Sequence, residues 1–326
     1  MEKRRVGSFE VSAIGLGCMS LSHAYGPPPP REQAERVLKG ALDAGYTFLD
    51  TAAVYGVGHN ERLVGEVLKD RRGEFVLASK CGLTNGEERE LNGSPERIKK
   101  TCDESLARLG VEVIDLYYLH RWDKRVPIEE SVGALADLVA AGKIKSIGLS
   151  EVSAPTLRKA HATHPIAALQ TEYSPWTRNP EIAVLDACRE LGTAFVAFSP
   201  VGRGFLAGGV PDLSVLQAGD FRVGMPRFQG EAFAANLKLF DAFAALASSA
   251  GCTPAQLCLA WLLQKDPIIV PIPGTTSPEH MLENAKAAEI RLDAGVMAQV
   301  EALVNARTVT GPRYAPAMQA SIDTED

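Results

Sequence analysis

Within residues 75–121, the run FVLAS (75–79) is followed by SPERIKKTCDESLARL (94–109) and then by IDLYYLHR (114–121). The outer runs are short, apolar and supplied with β-branched or aromatic residues, as strands of a buried parallel sheet are. The central run is amphipathic and of helical length. Its start, Ser94-Pro95-Glu96, offers a capping hydroxyl, a proline suited to the first helical position and an early acid. Strand, helix and strand in this order form a βα unit, which directs the whole chain toward a parallel α/β sheet.

The same alternation extends in both directions. Strands are predicted at Ile14–Leu16, Thr47–Leu49, Phe75–Ser79, Ile114–Leu119, Ile144–Leu149, Ala168–Thr171, Ala194–Phe198 and Ile268–Val270. Helices are predicted at about 31–44, 60–70, 94–109, 128–141, 153–162, 181–191, 254–264 and 278–288, with Thr253-Pro254 and Ser277-Pro278-Glu279 repeating the start signal. Eight strands alternating with eight helices predict a (β/α)8 TIM barrel, one domain over residues 1–326. The opening RRVGSFEVSAIGLG reads as a β-hairpin capping that barrel. The glycine-rich stretch from Val201 to about Gly230 reads as a long loop after the seventh strand, and residues from about 307 to 326 as loop or tail.

The chain has 46% hydrophobic and 23% charged residues, an ordinary globular balance, and a formal net charge of -6, which disfavours nucleic acid and anionic membranes as partners. The first residues lack the apolar core of a signal peptide, and no run approaches the length of a membrane span, so a cytoplasmic protein is predicted. Six cysteines without a CxxC pair argue against a zinc ribbon or disulfide scaffold. His161 and His164 are one helical turn apart with no third ligand in view, so no metal site is predicted.

A (β/α)8 barrel builds its active site at the C-terminal ends of its strands. Three adjacent strands deliver Asp50 and Tyr55 (LDTAAVYG, 49–56), Lys80 (ASK, 78–80) and His120 (YLHR, 118–121) to one mouth. Each residue alone has a plain structural reading, but a lysine directly after an apolar strand is costly to bury unless a carboxylate such as Asp50 pairs with it. A phenol is a poor acid at neutral pH, and a nearby ammonium draws its pKa down. This reading has Lys80 tuning Tyr55, Asp50 holding Lys80, and His120 steering a substrate carbonyl toward Tyr55.

On these residues the sequence resembles the aldo-keto reductase superfamily, from about Arg5 to Asn305, the tetrad of Asp, Tyr, Lys and His falling on FLDTAAVYG, ASK and YYLHRWD. GKIKSIGLS (142–150), LQTEYSPW (169–176), FSPVGRGFL (198–206), PRFQG (226–230) and PIPGT (271–275) extend the likeness, the GRGFL and PRFQG motifs toward the bacterial and plant reductases that include pyridoxal-reductase-like enzymes. The resemblance implies reduction of a small-molecule aldehyde or ketone by hydride from NADPH, with NADH as an alternative and Tyr55 as proton donor. It implies that Ser150 and Gln170 bind the nicotinamide carboxamide and that Phe198 stacks on the ring. Ser199, Val201, Gly202 and Arg203 would follow the pyrophosphate, and Gly274, Thr275, Ser277, His280, Glu283 and Asn284 would surround the adenosine end.

Two departures from the family pattern stand out. Glu151 occupies a position where the family often has asparagine, and an ionised carboxylate cannot donate a hydrogen bond. The adenosine loop has no lysine or arginine between Pro271 and Ala285, His280 standing where much of the family has arginine. Met19, Tyr25, Trp122, Trp176 and Phe228 fall in loops at the catalytic mouth and are expected to line the substrate pocket.

Two other functions compete on the same residues. A Schiff-base lyase would use Lys80 as its strand-end amine, without need of Asp50 and Tyr55. A low-turnover cofactor-binding subunit would keep the tetrad. The usual carboxylates of a barrel glycosidase are replaced by His120 and Ser199.

Overall fold

The apolar runs pair as parallel strands in chain order, so each helix returns the chain to the next position in the sheet. The computed structural model describes residues 1–83, 90–217 and 219–325; Ala218 of the predicted long loop and Asp326 of the predicted tail lie outside the described residues. Strands β1 (Lys3–Val6) and β2 (Phe9–Ser12) form the expected antiparallel hairpin. The eight-stranded parallel sheet runs, neighbour to neighbour, from β3 (Leu16–Gly17) through β4 (Phe48–Asp50), β5 (Val76–Cys81), β6 (Ile114–Leu119), β7 (Ile144–Ser150), β8 (Ile166–Glu172) and β9 (Ala194–Phe198) to β10 (Ile269–Pro271). The first and last strands then meet. Gly15 N donates to Pro271 O at 2.9 Å, Gly17 N to Pro273 O at 3.2 Å, and Gly17 bridges Gly274 in parallel. A Cβ on Gly17 would stand 2.7 Å from the Ile272 carbonyl oxygen, so the closure requires glycine there.

The barrel interior is filled by Phe48, Ala78, Leu116, Tyr118, Ala168, Val196 and Val270, and Val6 and Val11 of the hairpin join this cluster. Ser12 N donates to Thr47 Oγ1, just ahead of β4, which fixes the hairpin at the N-terminal ends of the strands. The C-terminal mouth is left open for chemistry.

Outside the sheet lie α1 (Arg31–Asp43), α2 (His59–Leu68), α3 (Pro95–Leu109), α4 (Ile128–Ala140), α5 (Ala154–Thr163) and α6 (Val184–Leu191), followed by α7 (Gly230–Ser249), α8 (Pro254–Lys265) and α9 (Pro278–Lys286). The predicted caps are present: Ser94 accepts from Arg97 N, Thr253 and Gln256 make a reciprocal capping box, and Ser277 accepts from His280 N. Helix α6 starts three residues later than predicted because Asn179–Glu181 winds into a separate 3₁₀ turn.

Three elements have no counterpart in the sequence reading. Helix α7 occupies a stretch to which that reading assigns no element, and it packs on α8 and on α10 (Ala294–Leu303). The third is α11 (Pro316–Gln319), in the segment read as tail. That segment is tied to the barrel: Asp323 pairs with Val152 in a parallel bridge, and its carboxylate accepts from Ser153 N and Thr156 Oγ1 at the start of α5. Among the described residues no single helix is long and apolar enough to cross a membrane.

Candidate active site

Asp50 ends β4, Lys80 lies near the end of β5 and His120 follows β6, so parallel register alone brings the three together. Tyr55 arrives on the turn after β4. Asn60 fixes that turn, accepting from Thr51 Oγ1 at 2.6 Å and donating to Cys18 O at 2.8 Å.

Lys80 is 1% exposed and Asp50 2% exposed, and their ion pair is supported from both sides. Lys80 Nζ also donates to Thr51 O at 2.9 Å and to Tyr55 Oη at 3.2 Å. Gln170 Nε2 donates to the second Asp50 oxygen at 2.7 Å. The rings of Tyr55 and His120 meet edge to face with centroids 5.8 Å apart.

Burial works against the Lys80 ammonium, but Asp50 and Tyr55 together raise its pKa above the ordinary value and keep it charged. For Tyr55, burial comes first and pushes the phenol up; Lys80 and Arg121 pull it down, and Asp50 adds to the rise. Lys80 thus pulls the phenol down, and burial outweighs it.

A cavity of about 840 Å3 opens over this group. Its wall includes Met19, His23, Tyr25, Tyr55, His120 and Arg121. Gln170, Phe198, Ser199, Val201 and Arg203 also line it, as do Gly274, Thr275, His280, Glu283 and Asn284 in and beside α9.

Several expected site residues lie off the cavity wall. Trp176 and Phe228 are buried elsewhere: Trp176 stacks on Phe205 at 4.4 Å and Phe228 meets it edge on, so both plug the core beneath the long loop. Trp122 turns its indole N–H to Val126 O. Gly202 lies under Trp176, where an added Cβ would come within 2.8 Å of the indole. Ser277 caps α9, and Ser150 Oγ accepts from Arg121 Nη1 at 3.1 Å. These placements correct the pocket assigned to Trp122, Trp176 and Phe228, because a loop sequence does not reveal which way its aromatics point.

Glu151 also has a different office from an amide donor. It is 1% exposed, its carboxylate accepts from Arg313 Nη2 at 2.7 Å through both oxygens, and one oxygen accepts from Glu172 N at 2.9 Å. Arg313 Nε continues to Glu172 Oε2 at 2.8 Å, where Arg203 also binds; Arg203 Nη2 in turn donates to Tyr314 Oη at 2.8 Å. Two acids at the ends of β7 and β8 are thus neutralised by one arginine from the long loop and one from the C-terminal segment. His23, Arg121 and Tyr314 are cavity residues that the sequence reading did not select. Arg121 was visible beside His120 in the quoted motif, whereas nothing near Tyr314 in sequence announces the site.

The loop after β9 and the start of α9, both on the cavity wall, suit an elongated anionic cofactor. The backbone is left-handed at Ser199, Gly202, Arg203 and Gly204, which folds the loop after β9 around the cavity. The buried Arg203 Nε has no partner among the described residues. The first-turn amides of α9 form an electropositive helix start beside Thr275 and Thr276.

The aldo/keto reductase family profile matches residues 13–305. A Glycine max protein named probable aldo-keto reductase 1 is 44% identical over 314 residues, spanning 94% of this chain and 89% of that protein. The chain belongs to the aldo/keto reductase family. The solved glycerol dehydrogenase of Gluconobacter oxydans superposes with a TM-score of 0.85 at 28% identity, covering 96% of this chain and 98% of that one. A thermostable aldo-keto reductase in complex with the inhibitor epalrestat gives 0.75 at 30% identity, with 93% and 100% covered. An aldo-keto reductase from Bacillus halodurans, in its holo form, gives 0.78 at 27% identity, with 94% and 97% covered. This family member is an NAD(P)H-dependent oxidoreductase acting on small-molecule carbonyl substrates.

Proposed function

We propose that this enzyme reduces an aldehyde or ketone to the alcohol with Tyr55 as general acid, prefers NADPH to NADH, and works in the cytoplasm as a single barrel domain. The observation that carries the reading is the contact of Lys80 Nζ with Tyr55 Oη at 3.2 Å, with His120 beside it on the cavity wall.

When bound, the nicotinamide supplies the hydride. Tyr55 gives its hydroxyl proton to the carbonyl oxygen, and Lys80 stabilises the phenolate that remains. Asp50 keeps Lys80 charged and in place, while Gln170 holds Asp50. His120 orients the carbonyl. Gln170 would hold the carboxamide and Phe198 would stack on the ring, with Ser199, Val201 and Arg203 at the pyrophosphate. Gly274, Thr275, His280, Glu283 and Asn284 would take the adenosine end, His280 facing the 2′-phosphate at the start of α9. Glu279, held ionised by Ser277 and His280, narrows the advantage of the phosphorylated cofactor.

The charge state of Lys80 weighs against Schiff-base chemistry, which needs a neutral amine. Its pKa is raised and its three N–H bonds point at Asp50, Thr51 and Tyr55.

The test is loss of reduced-cofactor absorbance with 4-nitrobenzaldehyde, run with NADPH and with NADH. Tyr55→Phe should keep its fold and bind cofactor while kcat falls about 10²-fold, the scale of lost general acid catalysis. A near-normal kcat in that variant would remove Tyr55 from the role, and an equal kcat/KM for the two cofactors would remove the NADPH preference.

A further inference from the structure

The cations on the cavity wall are not equivalent. Arg203 is paired with Glu172 and Arg222 with Asp220, and Lys80, just behind the wall, is paired with Asp50. Arg121 has no carboxylate within 4 Å among the described residues; its two hydrogen bonds, both from Nη1, go to the neutral acceptors His120 O at 2.6 Å and Ser150 Oγ at 3.1 Å. A guanidinium carries five N–H donors in a rigid fork matched to carboxylate geometry, so Nε and Nη2 are left for a ligand. The position is specific as well. Arg121 follows His120 directly and stands near enough to Tyr55 to act on its phenol.

A half-buried cation with no protein counter-charge, in the cavity wall beside the proton donor, is a receptor for an anion on the reacting molecule. We propose that Arg121 makes this reductase select carbonyl substrates that carry a second, anionic group, a carboxylate in the simplest case. The proposal rests on the reductase reading above and adds the substrate class to it. The two neutral anchors fix the guanidinium in the wall, so its free edge meets the anion without first giving up a salt bridge. The carboxylate displaces solvent from that edge while the carbonyl lies against Tyr55 and His120.

The experiment compares 4-carboxybenzaldehyde with its neutral methyl ester, methyl 4-formylbenzoate, as substrates of the wild-type enzyme with NADPH. The ester is the more electron-poor aldehyde, so intrinsic reactivity runs against the expected order. A charge-assisted hydrogen bond favours the acid by about 10- to 100-fold in kcat/KM at low salt, less at high salt. In Arg121→Gln that ratio should collapse toward or below one, and Arg121→Lys should restore part of it. Equal or ester-favouring kcat/KM in the wild type overturns the proposal without any variant being made. So does a ratio unchanged in Arg121→Gln, or a parallel loss for both aldehydes together with weaker NADPH binding, which would assign Arg121 to the cofactor. Binding of NADPH with no reduction of either aldehyde overturns the reductase reading and the proposal with it.

Discussion

Glu172 is the best place to measure what the ion network behind the cavity contributes. It is buried, it accepts from Arg203 and Arg313, and Thr177 Oγ1 adds a third hydrogen bond. Burial by itself would raise its carboxyl, but Arg203 and Arg313 outweigh burial and lower it from 4.5 to about 2. A displacement of that size corresponds to about 3 kcal/mol of stability at neutral pH. The folded carboxyl is the stronger acid, so this contribution is complete above pH ~5 and is lost as pH falls from 4.5 toward 2. Replacing Glu172 with Gln should therefore lower the free energy of unfolding by about 3 kcal/mol at pH 7, with the gap roughly halved by pH 3. Urea titrations followed by tryptophan fluorescence at pH 7, 5, 4 and 3 measure it. A variant as stable as the wild type at pH 7, or a gap that stays constant down to pH 3, would refute the reasoning, since either result would mean that the arginines do not hold an ionised Glu172.

Two further outcomes follow from the site. Burial raises the Tyr55 phenol and Lys80 opposes it, so Lys80→Met should raise it further and, with the Tyr55 phenolate as the base that the proposed mechanism requires, move the pH profile of alcohol oxidation to higher pH; kcat measured from pH 6 to 10 with the oxidised cofactor tests this, and an unshifted profile excludes the tuning role. Trp176 is stacked in the core, so Trp176→Ala should cost about 3–5 kcal/mol in thermal or urea unfolding with little change in KM, and a KM effect at unaltered stability would put the indole back in the pocket.

The parts of this molecule that were legible in the sequence depend on local rules. Strand β6 coincides with its predicted span, as does β9, because a bounded apolar run states its own length. The caps of α3, α8 and α9 involve only residues three apart, and Asp50, Tyr55, Lys80 and His120 could be expected to meet because adjacent parallel strands deliver their C-terminal ends to one place. Helix α7 escaped because its apolar residues surround much of its axis and blur the periodicity on which the reading relies, and its place between the seventh and eighth strands was already filled by α8.

The illegible parts share one cause, which is separation along the chain. Arg313 meets Glu151 and Glu172 across 162 and 141 residues, so a segment that reads as a polar tail is in fact the counter-ion of two buried acids. The same distance explains why Glu151 looked like a defective amide donor. An acid at a strand end announces a charge to be matched, but the sequence does not say what matches it. Without Arg313, Glu172 would keep Arg203, but Glu151 would lie buried with no paired cation among the described residues, an arrangement whose cost in low dielectric commonly exceeds the gain from any single hydrogen bond. The C-terminal segment is thereby required by the barrel mouth, and since it also carries Tyr314 to the cavity wall and to Arg203, the residues that complete the site are the same ones that make its acids tolerable.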